Sequence, residues 1–418
     1  MIDSISKYNF WEEKLPQTGF FRQKPITKLL SYQNSSLVKV ITGQRRCGKS
    51  YLLRMMIKHL ITEAGVDRKN ILYLNMEMPE LLSVTTSRQL FEIISEYRQE
   101  LSPQGKYYLF VDEIQEIAEW EKTINSISQN HEEPCEVFIT GSNAHLLSGE
   151  LATYLTGRYV PIEVFPFSYR EYRESTRQPA SQQSLATYLQ QGGMPEMRNL
   201  PDDETKRNYL GTLRDSILLN DIIRRHKLRD VSLLQRLYQF TADTIGSLFS
   251  LNGIVRHLNG SGYKTNVETV ANHLRHLCEA YLIHEAERYD IQGKKILSGE
   301  RKYFLNDTSY RYFLSSSFDP GPGKYLENAI YLHFRRNGYT VFTGRAGSTE
   351  VDFIAEKGNE RIYCQVAYIL PDEKVIEREF RSLLAIKDNY PKFVVSMDPV
   401  SIGNRQGIEH VQAWEFLK

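Results

Sequence analysis

Residues 41 to 53 read ITGQRRCGKSYLL, where Gly43 is followed by four residues and then by Gly48, Lys49 and Ser50. This G-x-x-x-x-G-K-[ST] pattern stands between two periodic segments. Leu37, Val38, Val40 and Ile41 form an apolar run of strand length, and Leu52, Leu53, Met56, Ile57, Leu60 and Ile61 recur at helical spacing. Strand, glycine loop and helix in that order predict a parallel α/β sheet. Glycines let such a loop fold back so that successive N–H groups line a concavity for phosphate oxygens, and the helix turns its positive end to the same anion. Lys49 is then placed to reach the β and γ phosphates and Ser50 to ligate Mg²⁺. Gly43, Gln44, Arg45, Arg46, Cys47, Gly48 and Tyr51 complete the expected nucleotide-contacting stretch.

The other half of such a site belongs at the end of a later strand. In KYYLFVDEIQE, Tyr107 to Val111 form a continuous apolar run, as in strands buried on both faces, and Asp112 and Glu113 follow at its carboxyl end. Asp112 is expected to complete the Mg²⁺ shell and Glu113 to activate the attacking water. A further strand, EVFITGSNA, ends in Thr140, Gly141, Ser142 and Asn143, which predicts a γ-phosphate sensor at Asn143 or Ser142. In TGRYVPIEVFPFSYREY, Arg158 precedes a strand that Pro161 confines to a sheet edge, and it is a candidate arginine finger or a surface ion pair.

Size and composition bound the rest. A chain of 418 residues exceeds one core and implies two to four domains. Hydrophobic residues at 41% and charged residues at 25% describe a globular protein, not a disordered or fibrous one. No apolar run approaches the roughly 18 residues of a spanning helix. The start, MIDSISKYNFWEEK, lacks the apolar centre of a secretion signal, so a cytoplasmic location without membrane contact is expected. Cys47, Cys135, Cys278 and Cys364 form no C-x-x-C pair, which disfavours a zinc site or a disulfide framework, and Cys47 predicts oxidation-sensitive nucleotide binding. A net charge of +1 leaves any nucleic-acid contact to a local basic patch.

The segments GQRRCGKS, LFVDEIQ, TGSNA, TGRY, PFSYREY, GGMPE, EVDF and QVAY together resemble a family of bacterial and archaeal P-loop ATPases with an AAA-type core, related to the STAND group. The resemblance implies an ATPase core followed by a helical lid, a winged helix and a nuclease-like domain. It also implies that Gly193 and Pro195 of GGMPE approach the nucleotide from the lid.

Punctuation in the chain supplies boundaries. Residues 1–36 are a lead-in, 37–165 the core and 166–230 the lid, whose end carries the basic run Arg224, Arg225, His226, Lys227 and Arg229. Residues 231–314 read as a winged helix. Thr265 and Glu268 suggest a capping box before a recognition helix that presents Thr269, Asn272 and His276 outward, and Lys294 and Lys295 mark a basic hairpin. Residues 315–325, rich in Ser, Pro and Gly, read as a linker.

The last domain, 326–418, opens with a stretch to residue 397 that runs helix, strand, turn, strand, strand, helix, strand and resembles the PD-(D/E)xK nuclease fold. Glu327 and Asp352 fill its first two acidic places. Gln365, Val366 and Ala367 stand where the third acid and the lysine belong, which predicts an inactive domain unless a lysine such as Lys357 or Lys374 has migrated. The expected activity is hydrolysis of ATP with Mg²⁺, coupled to nucleic acid through the appended domains or, alternatively, to a protein partner as in signalling and defence switches. Oligomerisation is compatible with both.

Overall fold

The computed structural model describes residues 1–147, 155, 157–228, 230–315, 321–347 and 349–418. They divide into two compact units, Met1–Val164 and Phe165–Lys418.

The first unit is an α/β layer structure on a five-stranded parallel sheet. Its strands are β1 (Val38–Thr42), β2 (Ile71–Asn75), β3 (Tyr107–Asp112), β4 (Cys135–Gly141) and β5 (Tyr159–Glu163), in the order β2-β3-β4-β1-β5. The apolar runs of the inner strands follow from burial on both sides. Val40, Leu72, Leu109 and Val111 point into one core with the helix Ser87–Leu101, while Ile41, Tyr73, Phe110 and Phe138 point into another with the helix Lys49–Thr62. Pro161 lies on β5, an edge strand, as a residue without an N–H requires. At the opposite edge the lead-in covers the open backbone of β2. Asn9 Oδ1 accepts from the Tyr73 amide at 2.8 Å, and the Trp11 indole donates to the Ile71 carbonyl at 2.7 Å.

The second unit contains a nine-stranded mixed sheet. Its strands are β6 (Leu248–Ser250), β7 (Ile283–Asp290), β8 (Lys295–Leu305), β9 (Thr340–Ala346), β10 (Thr349–Lys357), β11 (Glu360–Ala367), β12 (Lys392–Ser396), β13 (Asn404–Arg405) and β14 (Ile408–Gln412), in the order β13-β14-β12-β11-β10-β9-β7-β8-β6. The β7–β8 hairpin joins the later strands through a parallel pairing of Arg288–Asp290 with Thr343–Arg345. One sheet therefore runs across the segment read as a linker. The helix Pro322–Arg336 begins inside that segment, and residues 316–320 and Arg229 lie outside the described residues.

Two local expectations are corrected here. The helix Val267–Glu279 is capped by Asn266, whose side chain accepts from the Thr269 amide at 2.8 Å, and not by Thr265 with Glu268. Asn is the stronger cap at this position, and the Thr265 amide is already held by Asn259 Oδ1 at 2.9 Å. His276 is buried, its ring stacked 3.6 Å from that of His226, so it does not face outward.

His284 on β7 is buried with its Nε2 2.9 Å from Asn306 Oδ1, and burial pushes its pKa down from 6.5 to about 3. A depressed pKa contributes stability that is complete above 6.5 and is lost as the unfolded chain takes up a proton the folded chain refuses. Unfolding free energy should therefore fall by about 2 kcal/mol between pH 6.5 and pH 5 from this group alone. Urea titrations at the two pH values check this, with a smaller loss expected in His284→Asn.

Candidate nucleotide-binding site

The loop that follows β1 is shaped by two glycines with different duties. A Cβ on Gly43 would overlap the Val164 carbonyl oxygen, so that position has no room for a side chain. Gly48 has φ +103°, a conformation that side chains disfavour, and Arg46 also adopts a positive φ of +67°. Inside the resulting curl, Lys49 folds back and donates to the carbonyls of Gly43 at 3.1 Å and Gln44 at 3.3 Å. Gln44 is buried, Arg45 donates to Glu77 at 2.6 Å, and Tyr51 is exposed with its ring against Gly19.

Cys47 is fully buried, its Sγ 3.2 Å from the Val164 carbonyl, and burial pushes its thiol pKa up. This opposes the expected oxidation sensitivity, because the thiolate is the reactive form and the sulfur is inaccessible.

The carboxylates at the end of β3 meet the loop. Asp112 is buried, and its oxygens accept from the Tyr73 hydroxyl at 2.9 Å, from Thr140 Oγ1 at 2.5 Å and from the Ser50 hydroxyl. Burial and the neighbouring Glu113 raise its pKa despite these bonds. Glu113 turns away in a left-handed conformation, φ +58°, which aims its amide at Thr140 Oγ1, 3.0 Å away. One of its carboxylate oxygens lies 3.3 Å from Lys49 Nζ, and the other accepts from Gln115 Nε2 at 2.6 Å. Burial alone would raise the Glu113 pKa, but the Lys49 charge, the Gln115 hydrogen bond and the Arg45 charge together outweigh it, and the carboxyl lies below its usual value. The same attraction keeps Lys49 charged in spite of its burial.

Ser50 and Asp112 are already in contact, which fits a Mg²⁺ ion bound by the hydroxyl and, through water, by the carboxylate. A phosphate in the loop would compete with Glu113 for Lys49. The arrangement can therefore bind a nucleoside triphosphate and free a carboxylate beside it.

Residues 35–173 match the family model described as AAA domain, and residues 182–320 match a domain of unknown function (DUF8612). An uncharacterized protein of Haemophilus influenzae is 34% identical over 95% of this chain and 98% of its own length. Uncharacterized protein MJ1544 of Methanocaldococcus jannaschii is 30% identical over 84% of this chain and 79% of its own. Among solved structures, the Walker-type ATPase paby2304 of Pyrococcus abyssi aligns with a TM-score of 0.43 at 16% identity, covering 73% of this chain and 99% of that one. The chain belongs to one family with the Haemophilus influenzae and Methanocaldococcus jannaschii proteins, and its residues 35–173 are those of an AAA domain.

In this AAA protein Ser142 and Asn143 are buried just beyond β4, and Gln115 Nε2 reaches the Ser142 hydroxyl at 3.3 Å. Arg158 lies elsewhere. Its carbonyl accepts from Val38 at the start of β1, whereas the phosphate loop follows the other end of that strand, roughly 15 Å away at the usual rise per residue. The structure does not bring Arg158 to the phosphate loop of its own chain. Pro195 belongs to the second unit, where it opens the turn Pro195–Asn199. The glycines before it have packing duties there: the Gly193 amide donates to Asp307 Oδ2 at 2.6 Å, and a Cβ on Gly193 would overlap the Phe167 carbonyl.

Several residues escaped the motif reading. Arg22 of the lead-in donates to the Cys47 carbonyl at 3.1 Å and steadies the loop. Tyr73 and Thr140 orient Asp112, and Gln115 orients Glu113. Only Gln115 had a local signal, two residues after Glu113. With Gln115→Ala, Glu113 keeps Lys49 but loses its second anchor. We expect turnover to drop about tenfold at unchanged ATP affinity, as steady-state rates beside calorimetric binding would show.

Among the described residues no helix is long and apolar enough to cross a membrane.

Proposed function

We propose that this protein hydrolyses ATP with Mg²⁺ and uses the cycle as a conformational switch. The observation that carries the reading is the shared contact of Lys49 with the loop carbonyls and with Glu113. Loop N–H groups and Lys49 would hold the β and γ phosphates, and Ser50 and Asp112 would hold a Mg²⁺ ion, which when bound would supply positive charge beside the phosphates. Glu113, released from Lys49 and kept in place by Gln115, accepts the proton of the attacking water. Asn143 or Ser142 senses the γ phosphate.

Arg158, exposed at the far end of the sheet, suits a finger offered to a neighbouring copy. Hydrolysis per molecule should then rise with protein concentration, and Arg158→Ala should remove that dependence at unchanged ATP affinity. A flat specific activity on dilution of a monomeric protein rules the trans role out.

For the output we favour nucleic acid, engaged by a winged helix over 231–314 and a nuclease-like, non-cleaving domain over 326–418. Lys294 and Lys295 are exposed at the hairpin tip, which supports a wing against phosphates. The helix Val267–Glu279 supports a second reading, contact with a protein partner. With His276 buried, its exposed charges are only Glu268 and Arg275. Binding to random duplex measured from low to high salt discriminates. Phosphate contacts give an affinity that falls steeply with salt and weakens in Lys294→Ala/Lys295→Ala, and absence of duplex binding at low salt rejects the nucleic-acid reading.

A further inference from the structure

The acidic pair expected of the nuclease-like region does assemble, but around a lysine that no motif contains. Lys302, on β8, is 3% exposed and projects its ammonium between three carboxylates. Its Nζ lies 2.9 Å from Glu327 Oε1, 2.7 Å from Glu350 Oε1 and 3.7 Å from Asp352 Oδ1. The other oxygen of Glu327 accepts from Lys324 at 2.9 Å, and Lys324 also donates to the Gly246 carbonyl at 2.9 Å. Asp352 Oδ2 accepts from the Val366 amide at 2.9 Å. Gln365, where a third acid would stand, donates instead to Glu379 at 2.9 Å.

A divalent ion shared by Glu327 and Asp352 must sit within about 2.6 Å of an oxygen of each. That volume is taken by the Lys302 ammonium, and the two cations cannot coexist there. Nor is Lys302 disposed as a migrated catalytic lysine, which would have to turn an N–H toward a phosphate in solvent. Its ammonium is buried, and two of its three donors are met by Glu327 and Glu350. The residues present therefore do not fit a metal-dependent nuclease centre.

We propose that Lys302 is the built-in cation of this cluster, replacing a divalent ion and pinning β8 to the helix Pro322–Arg336 and to β10. The segment read as a linker is thereby bridged by an ion cluster as well as by the continuous sheet. Three carboxylates face two ammonium groups, and burial followed by the Glu327 charge raises the Asp352 pKa to about 7, so the cluster tolerates a proton where charge is unbalanced. The proposal does not depend on ATP hydrolysis.

Mn²⁺ binding to the full chain without nucleotide, counted by the loss of free-ion signal in electron paramagnetic resonance, tests it. Wild type and Asp352→Asn should bind the same number of ions. Lys302→Ala, which leaves a cation-sized hole among the carboxylates, should bind one more ion, melt at a lower temperature and recover on adding Mn²⁺. Asp352→Asn in that background should abolish the extra ion. Lys302→Met, which removes the charge but fills the hole, should melt lower and gain no ion. An ion lost from the wild-type chain on Asp352→Asn overturns the proposal, as does a folded Lys302→Ala protein that gains none. If Lys302→Ala does not fold, the comparison of wild type with Asp352→Asn decides alone.

Discussion

Lys49→Ala is expected to lose ATP affinity by at least a hundredfold, about 3 kcal/mol, because it removes the one buried ammonium inside the phosphate loop. The backbone curl does not depend on that side chain, since Gly43 and Gly48 set it, so the loss should not come from a collapsed loop. A second consequence follows from the Lys49–Glu113 pair. Without the ammonium, Glu113 is a buried carboxylate lacking its principal countercharge, and breaking such a pair costs about 3 kcal/mol or more. The sign with pH is determinate. The depressed pKa of Glu113 contributes stability present above its ordinary value of 4.5 and lost as pH falls through the folded value. The stability gap between wild type and Lys49→Ala should therefore be widest near neutral pH and narrow as pH falls below 4.5. Titration calorimetry with ATP and melting curves at both pH values measure the two effects. Near-wild-type ATP affinity in the folded variant would show that Lys49 does not contact phosphate.

Glu113→Gln separates binding from chemistry. The amide keeps the size of the side chain and cannot accept a proton from water, so hydrolysis should fall by about 10²–10⁴. ATP affinity should stay level or improve, because Lys49 no longer has a carboxylate competing with phosphate. Hydrolysis at the wild-type rate would remove Glu113 from the role of base. The same variant, by trapping bound ATP, is the form in which to recover a partner from cells, and the recovered material, duplex or protein, distinguishes the two proposed outputs.

What could be read directly from the chain was whatever consecutive residues encode. The loop needs glycine where no side chain fits and where φ is positive, and both demands fall inside one eight-residue pattern at Gly43 and Gly48. The strands before Gly43 and Asp112 are apolar because both their faces are covered, and Pro161 marks an edge because it lacks an N–H. The order of helices and strands from residue 322 to 396 was likewise visible in the chain, whereas β13, β14 and the helix Ala413–Phe416 were not. Partnerships across the fold were not. Tyr73 and Thr140 reach Asp112 from positions 39 and 28 residues away, Arg22 reaches the loop from the lead-in, and His276 stacks on His226. The acids Glu327 and Asp352 were legible as a pair, yet the cation between them comes from β8, where Lys302 looks like any lysine of a hairpin. Periodicity, caps and backbone preferences act within a few residues and so are written in the local sequence. Which charge meets which depends on strand register and packing, and only the folded chain sets those distances.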